Sequence, residues 1–226
     1  MAPPAQPSHT PDDLSGPTSG RLHTNRDRGP SSDAPPSPLP SRRPRRSDPE
    51  RRNRIIDSCL EVIAEVGVSG TSHRKIAEAA DVPLGSMTYH FTGIDELLRE
   101  AFTRLATTVA ERFEWRMAEA ADTEAAREAV VALIVEDVFG THRDLVLTHE
   151  LYTLSARDPS FRPITAMWMA RSRAALERHF DPETARLVDA LIEGLTLHRA
   201  LDTEPHDSDE VARAVSRMTG LPSGPS

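Results

Sequence analysis

The sequence predicts an all-α protein: two unequal helical units that share one long helix, preceded by a disordered tail. Three observations carry this. After Pro49 the apolar residues recur at three- and four-residue spacing, the period of an amphipathic helix. Successive segments begin with Asp or Thr, twice followed directly by proline, as helix starts do. No run of residues alternates apolar and polar in the manner of a strand.

The first 47 residues stand apart. MAPPAQPSHTPDDLSGPTSG and GPSSDAPPSPLPSRRPRR are dense in Pro, Ser and Gly and nearly free of aliphatic side chains. Such a segment cannot offset the entropy of ordering, so residues 1–47 are expected to be a disordered tail. The mean hydropathy of −0.46 is low for a packed chain and fits that division. No apolar run reaches membrane-spanning length and the N-terminus lacks a signal peptide's apolar core, so a cytoplasmic protein with no membrane partner is expected. The single Cys59 excludes an intramolecular disulfide, and its place on an apolar helix face marks it as a small core residue.

The net charge of −8 looks unsuited to an anionic partner, but it is unevenly spread. Residues 42–99 carry 10 basic and 9 acidic side chains, whereas residues 100–226 carry 14 and 22. The acidity belongs to the C-terminal part. The middle part is balanced and opens on the arginine clusters RRPRR and RRNR.

In ERRNRIIDSCLEVIAEVGVSG, the residues Ile55, Ile56, Cys59, Leu60, Ile63 and Val66 form a helical stripe, which Gly67 is expected to end in a left-handed conformation. Thr71 or Ser72 caps a second helix, SHRKIAEAA, with Ile76, Ala77 and Ala80 on one face. Asp81-Val82 makes a turn, since Asp is among the few residues that tolerate a left-handed position. Pro83 then opens a short helix, PLGSMTYHF. Thr92-Gly93 breaks the chain, with Thr92 and Asp95 in a capping arrangement, and a long helix follows over about 95–120. Asp122-Thr123, Thr141, Asp158-Pro159 and Asp181-Pro182 mark later helix starts.

Two short helices joined by a tight turn, SHRKIAEAA-DV-PLGSMTYHF, fit a helix-turn-helix, in which the second helix enters the major groove of DNA. Leu84, Gly85 and Ser86 leave its start nearly bare, so backbone can approach a duplex, and its far end supplies hydrogen-bond donors.

Here RRNRIIDSCLEVIAEVGVSGTSHRKIAEAADVPLGSMTYHFTGIDELLREAF, residues 51–102, resembles the DNA-binding domain of the TetR family of transcriptional regulators. The order of helix, Gly, capped helix, turn, Tyr-His-Phe and Asp-Glu-Leu-Leu carries the resemblance. It implies a helix-turn-helix domain over 48–100 and a regulatory and dimerisation domain over 101–220. It further implies that Thr71 and Ser72 contact phosphate, with Arg74 or Lys75 reaching the backbone or groove edge. Leu84, Gly85, Ser86 and Thr88 would face bases, Tyr89 and His90 would bind phosphates, and Phe91 would pack inside. One departure is plain: where family members usually carry a lysine before the long helix, this chain has Thr92-Gly93-Ile94-Asp95. The run Arg42 to Arg54 is a candidate replacement.

For the C-terminal unit the resemblance implies two tasks. One is homodimerisation through MWMARSRAALERHFDPETARLVDALIEGLTLHRAL, with Leu187, Leu191, Leu195 and Leu197 as an apolar face and Gly194 allowing close approach. The other is binding of a small-molecule effector of unknown identity, with Phe113, Met117, Phe139, His149, Tyr152 and Trp168 as the leading candidates beside Trp115 and Val135. The expected function is therefore a ligand-responsive repressor that binds a palindromic double-stranded operator. The rival is a helical small-molecule-binding or scaffold protein that has lost DNA binding. No nucleotide-binding glycine loop, nucleophile elbow or HExxH occurs, so neither enzyme activity nor a cofactor is expected. His142, His149 and Glu150 lack a diagnostic metal spacing, and no metal site is expected.

Overall fold

The computed structural model describes residues 50–137, 141–204 and 207–220. Among these residues it is all-helical, as expected: α1 (Arg51–Gly70), α2 (His73–Ala79), α3 (Gly85–His90), α4 (Ile94–Glu119), α5 (Thr123–Ala132), α6 (His142–Arg157), α7 (Arg162–Leu176), α8 (Pro182–Leu201) and α9 (Ser208–Thr219). A π-helical turn, Leu133–Asp137, extends α5, and a 3-10 turn, Pro159–Phe161, precedes α7. The tail through residue 49 and Phe139 lie outside the described residues.

The expected caps form. Ser72 accepts from the Lys75 N–H, Asp122 from Ala125, Thr141 from Asp144, and Asp181 from both Glu183 and Thr184. Each satisfies an N–H that the first helical turn leaves without a partner. Asp158 caps the 3-10 turn rather than α7 itself. At the start of α4 the reach-back comes from Glu96, not Asp95: its carboxylate accepts from the Thr92 N–H and hydroxyl, both at 2.6 Å. Those hydrogen bonds lower the Glu96 pKa.

Gly67 departs from a simple helix end. It has φ 71° and ψ 171°, and one further turn follows it to Gly70. The stripe on α1 is also displaced, because Val62 is buried while Val66 is 41% exposed. Val66, the residue just before the kink, faces away from the core.

Two apolar cores lie along α4, which at 26 residues is about 39 Å long. The first joins Ile55, Cys59, Ile63, Ile76, Met87, Phe91, Leu97 and Phe102 to Leu147 and Leu151 of α6 and to Ile164 and Trp168 of α7. Residues of the reading domain thus share a core with the C-terminal helices. The second core packs the far end of α4, at Phe113 and Met117, against α5, α7, α8 and α9 through Val130, Leu176, Val188 and Val215. Burial raises the Cys59 thiol to about 12, so it is an inert core group.

Candidate nucleic-acid interface and effector cavity

Asp81 takes φ 51° and turns the chain from α2 into α3. The first turn of α3 is tight, with Ser86 N–H donating to Pro83 C=O at 2.8 Å and Met87 N–H to Leu84 C=O at 3.0 Å. Met87 is fully buried and Phe91 is 3% exposed, and both belong to the first core, which anchors α3 there. The Arg52 guanidinium lies 5.0 Å from the Phe91 ring centroid and pairs with Glu100.

With α3 held from inside, its outer face is open. Leu84 is 54% exposed and Tyr89 82%. Gly85 and Thr88 are exposed too, and a Cβ on Gly85 would meet nothing within 4 Å. Tyr89 stands edge-on to the half-buried His90 ring, 4.9 Å between centroids. Ser86 does not belong to this face. It is buried beside Met87, because its position on so short a helix points toward the core.

The other expected contacts lie beside α3. Ser72, Arg74 and Lys75 are exposed. The Lys75 ammonium donates to Gly70 C=O at 2.8 Å, and the Thr71 hydroxyl donates to Gly67 C=O at 2.7 Å. In the unbound chain these two close the turn between α1 and α2. Arg52, from the cluster expected to replace the missing lysine, is engaged with Glu100 and Phe91; Arg42 to Arg46 lie outside the described residues.

A cavity of about 60 Å3 opens between α4, the π turn, α6, α7 and α8. Phe113 and Trp168 line it, together with Thr148, Ser172, Asp189 and Glu193. The other expected residues do not line it. Met117 is fully buried in the second core. Trp115 is 65% exposed, and Val135 borders a separate groove between α5 and α9. The His149 Nδ1 lies 2.8 Å from Leu145 C=O on its own helix. Tyr152 stands one layer behind the wall. It stacks on Trp168 at 6.0 Å, and its hydroxyl donates to the Glu193 carboxylate.

The carboxylates on α8 are not among the lining residues expected from the sequence. Their trace was two acids four residues apart among the apolar residues of LVDALIEGL. Burial raises Asp189 to about 6 and pushes Glu193 upward as well. It also raises the Tyr152 phenol, with Glu193 adding to the effect.

Comparison with known proteins bears on both sites. Residues 55–101 match the family model described as bacterial regulatory proteins, tetR family. Residues 121–221 match the tetracyclin repressor-like C-terminal domain. A solved transcriptional regulator from Streptomyces coelicolor A3(2) is 55% identical, covering 76% of this chain and all of its own, with a TM-score of 0.73. The chain belongs to the TetR family. Within that family it also resembles EbrR, a multidrug binding protein solved with ethidium, at 34% identity and TM-score 0.62 over 76% of this chain and 99% of EbrR. The HTH-type transcriptional regulator BetI of Burkholderia mallei is 28% identical over 167 residues, covering 70% of this chain and 86% of that protein. As a TetR-family member the chain is a DNA-binding transcriptional regulator with a ligand-binding C-terminal domain, and the rival scaffold reading is not favoured. No helix among the described residues is long and apolar enough to cross a membrane.

Proposed function

We propose that this TetR-family regulator represses transcription by binding a two-fold symmetric operator as a homodimer, and that a small molecule entering the α4–α8 cavity releases it. The observation that carries the reading is the two-sided character of α3. Met87 and Phe91 anchor one side while Leu84, Gly85, Thr88 and Tyr89 stand free on the other.

The assigned roles follow from chemistry. Leu84 and Thr88 meet thymine methyl groups, and Gly85 lets the backbone approach base edges. Tyr89, His90, Ser72 and Thr71 bind phosphates and set the register, with Arg74 and Lys75 adding salt-sensitive contacts. Thr71 and Lys75 must exchange an internal carbonyl for phosphate on binding.

Dimerisation uses the outer face of α8. Leu187 is 47% and Leu201 64% exposed, and Gly194 between them has open space around it. The face is narrower than the sequence suggests, since Leu191 and Leu195 pack against the second core. Leu187, Ala190, Gly194, Leu197 and Leu201 form the outward stripe at three- and four-residue spacing.

Release requires an effector that favours the conformation unable to bind DNA; tight binding alone shifts nothing. The cavity is far below the roughly 300–1,000 Å3 of a drug-sized site, so an occupied form is wider and the walls on α4, α7 and α8 part. EbrR, a similar protein solved with ethidium, supports a small-molecule effector. Selection of bound sequences from random duplex DNA tests the proposal. Recovery of a palindrome with half-sites about one helical turn apart supports it, whereas no enrichment and no mobility shift at low salt would return the scaffold reading.

A further inference from the structure

From Pro83 to Phe91 the chain reads PLGSMTYHF, with no Arg, Lys, Asn, Gln, Asp or Glu. Those are the side chains that pair with guanine, adenine or cytosine edges in the major groove. The hydroxyls that could stand in for them are withdrawn. Ser86 is buried beside Met87, and the Thr88 hydroxyl donates to Gly85 C=O of its own helix at 3.3 Å. What α3 leaves outward is hydrocarbon: the exposed Pro83 ring, exposed Leu84, bare Gly85 and the methyl of exposed Thr88. We propose that α3 selects its operator by the C5-methyl groups of the major groove, and therefore accepts 5-methylcytosine where it accepts thymine. The proposal rests on α3 being the reading helix, and it adds the chemical feature of the bases that is read.

An apolar face discriminates in two ways. Leu84 and Thr88 gain when their exposed hydrocarbon is covered by a methyl group, and a C5 position without one leaves part of that surface uncovered. A guanine edge pressed against the same face gives up water from its N7 and O6 acceptors and finds no donor side chain on α3 in exchange, which counts against it. Thymine and 5-methylcytosine carry the same methyl on the same ring carbon. They differ at the neighbouring position, where thymine accepts and cytosine donates, and no free side-chain donor or acceptor of Leu84, Gly85 or Thr88 addresses that difference.

The cations close to this face belong to another helix. Arg74 and Lys75 are on α2, and the Lys75 ammonium donates to Gly70 C=O. In a helix-turn-helix the first helix crosses the backbone, so these charges add affinity without choosing among bases. Leu84 and Thr88 are four residues apart, hence on one face and about 6 Å apart along the axis. The methyls they cover should fall about two base steps apart.

The test uses the full chain and the duplex recovered by selection. Thymines of one half-site are replaced one at a time by deoxyuridine, which lacks only the methyl, and guanines by 7-deazaguanine, which lacks the N7 acceptor. At each uracil-sensitive position the T·A pair is then exchanged for C·G and for 5-methylcytosine·G. Anisotropy titrations are expected to show about fourfold weaker binding for each contacted methyl removed. About the same factor should return when C·G becomes 5-methylcytosine·G. The thymine-over-uracil ratio should fall toward one at one position in Thr88→Ser and at another in Leu84→Ala, with the fold of each variant checked by its thermal melt. A larger loss from 7-deazaguanine than from uracil, no gain from 5-methylcytosine, or an unchanged ratio in both variants would overturn the proposal. A recovered duplex indifferent to every uracil would sink this inference alone and leave α3 as a DNA-contacting helix. Failure to recover any duplex would take the regulator reading down with it.

Discussion

Glu150 of α6 closes on the kink at Gly67 of α1. One carboxylate oxygen accepts the Val68 N–H at 3.1 Å, and the other lies 2.7 Å from where a Cβ on Gly67 would stand. The helix-turn-helix domain is thereby tied to a helix that also lines the α4–α8 cavity, through Thr148 two residues earlier. Arg143 adds a second tie from α6, pairing with Glu61 at 2.7 Å.

Gly67→Ala is therefore expected to destabilise the fold by about 1–3 kcal/mol, because its backbone conformation is nearly exclusive to glycine. Glu150→Ala removes the partner of the Val68 N–H and costs about 1 kcal/mol. Thermal melts of both variants and of the double variant check this. Truncating Glu150 should fail to rescue Gly67→Ala, since the strain lies in the backbone.

Arg74→Ala should lower operator affinity and reduce the slope of log K against log salt by about 1. Tyr89→Phe should weaken binding to all sequences alike while leaving that slope unchanged, because a phenol neutralises no phosphate. Anisotropy titrations at several salt concentrations separate the two.

Asp189→Asn should stabilise the unliganded protein at neutral pH. The folded pKa, about 6, lies above the ordinary 3.8, so between these values the folded state holds more protons than the unfolded one. Stability consequently falls as pH rises through that window and stays lower above it. Glu193 acts in the same direction, whereas Arg173 on α7 opposes the shift at Asp189. Discounted for solvent screening of a partly exposed carboxyl, the gain is about 1 kcal/mol above pH 6, or about 2–4 °C in Tm. Melts from pH 4 to 8 should show the gain vanish toward the acid end.

Leu187→Glu or Leu201→Glu places a charge on the outward stripe of α8 without disturbing either core. Either should shift the protein toward monomer in sedimentation and weaken operator binding, with little change in helicity.

The helices and their caps were legible because their signals are local. Asp122, Thr141 and Asp181 act within three residues of their own positions. The outward placement of Leu84, Gly85 and Tyr89 followed from the helix-turn-helix pattern. Ser86 did not, since one residue's rotation on a six-residue helix depends on how Met87 docks. Helix α9, capped by Asp207, passed without a named start signal. The cavity was the least legible part. Its walls come from α4, α6, α7 and α8, and long-range packing decides which side of each helix faces inward. Thus Met117 became core and Trp115 became surface, while two acids on an apolar helix face became lining.

The most direct measurement compares the wild type with Gly85→Val on the duplex recovered by selection. The new side chain meets nothing within the free protein, so the melt and dimer mass should change little while specific affinity falls by a hundredfold or so, about 2–3 kcal/mol. Undiminished binding by a folded Gly85→Val dimer would contradict the claim that the leading edge of α3 lies against the bases.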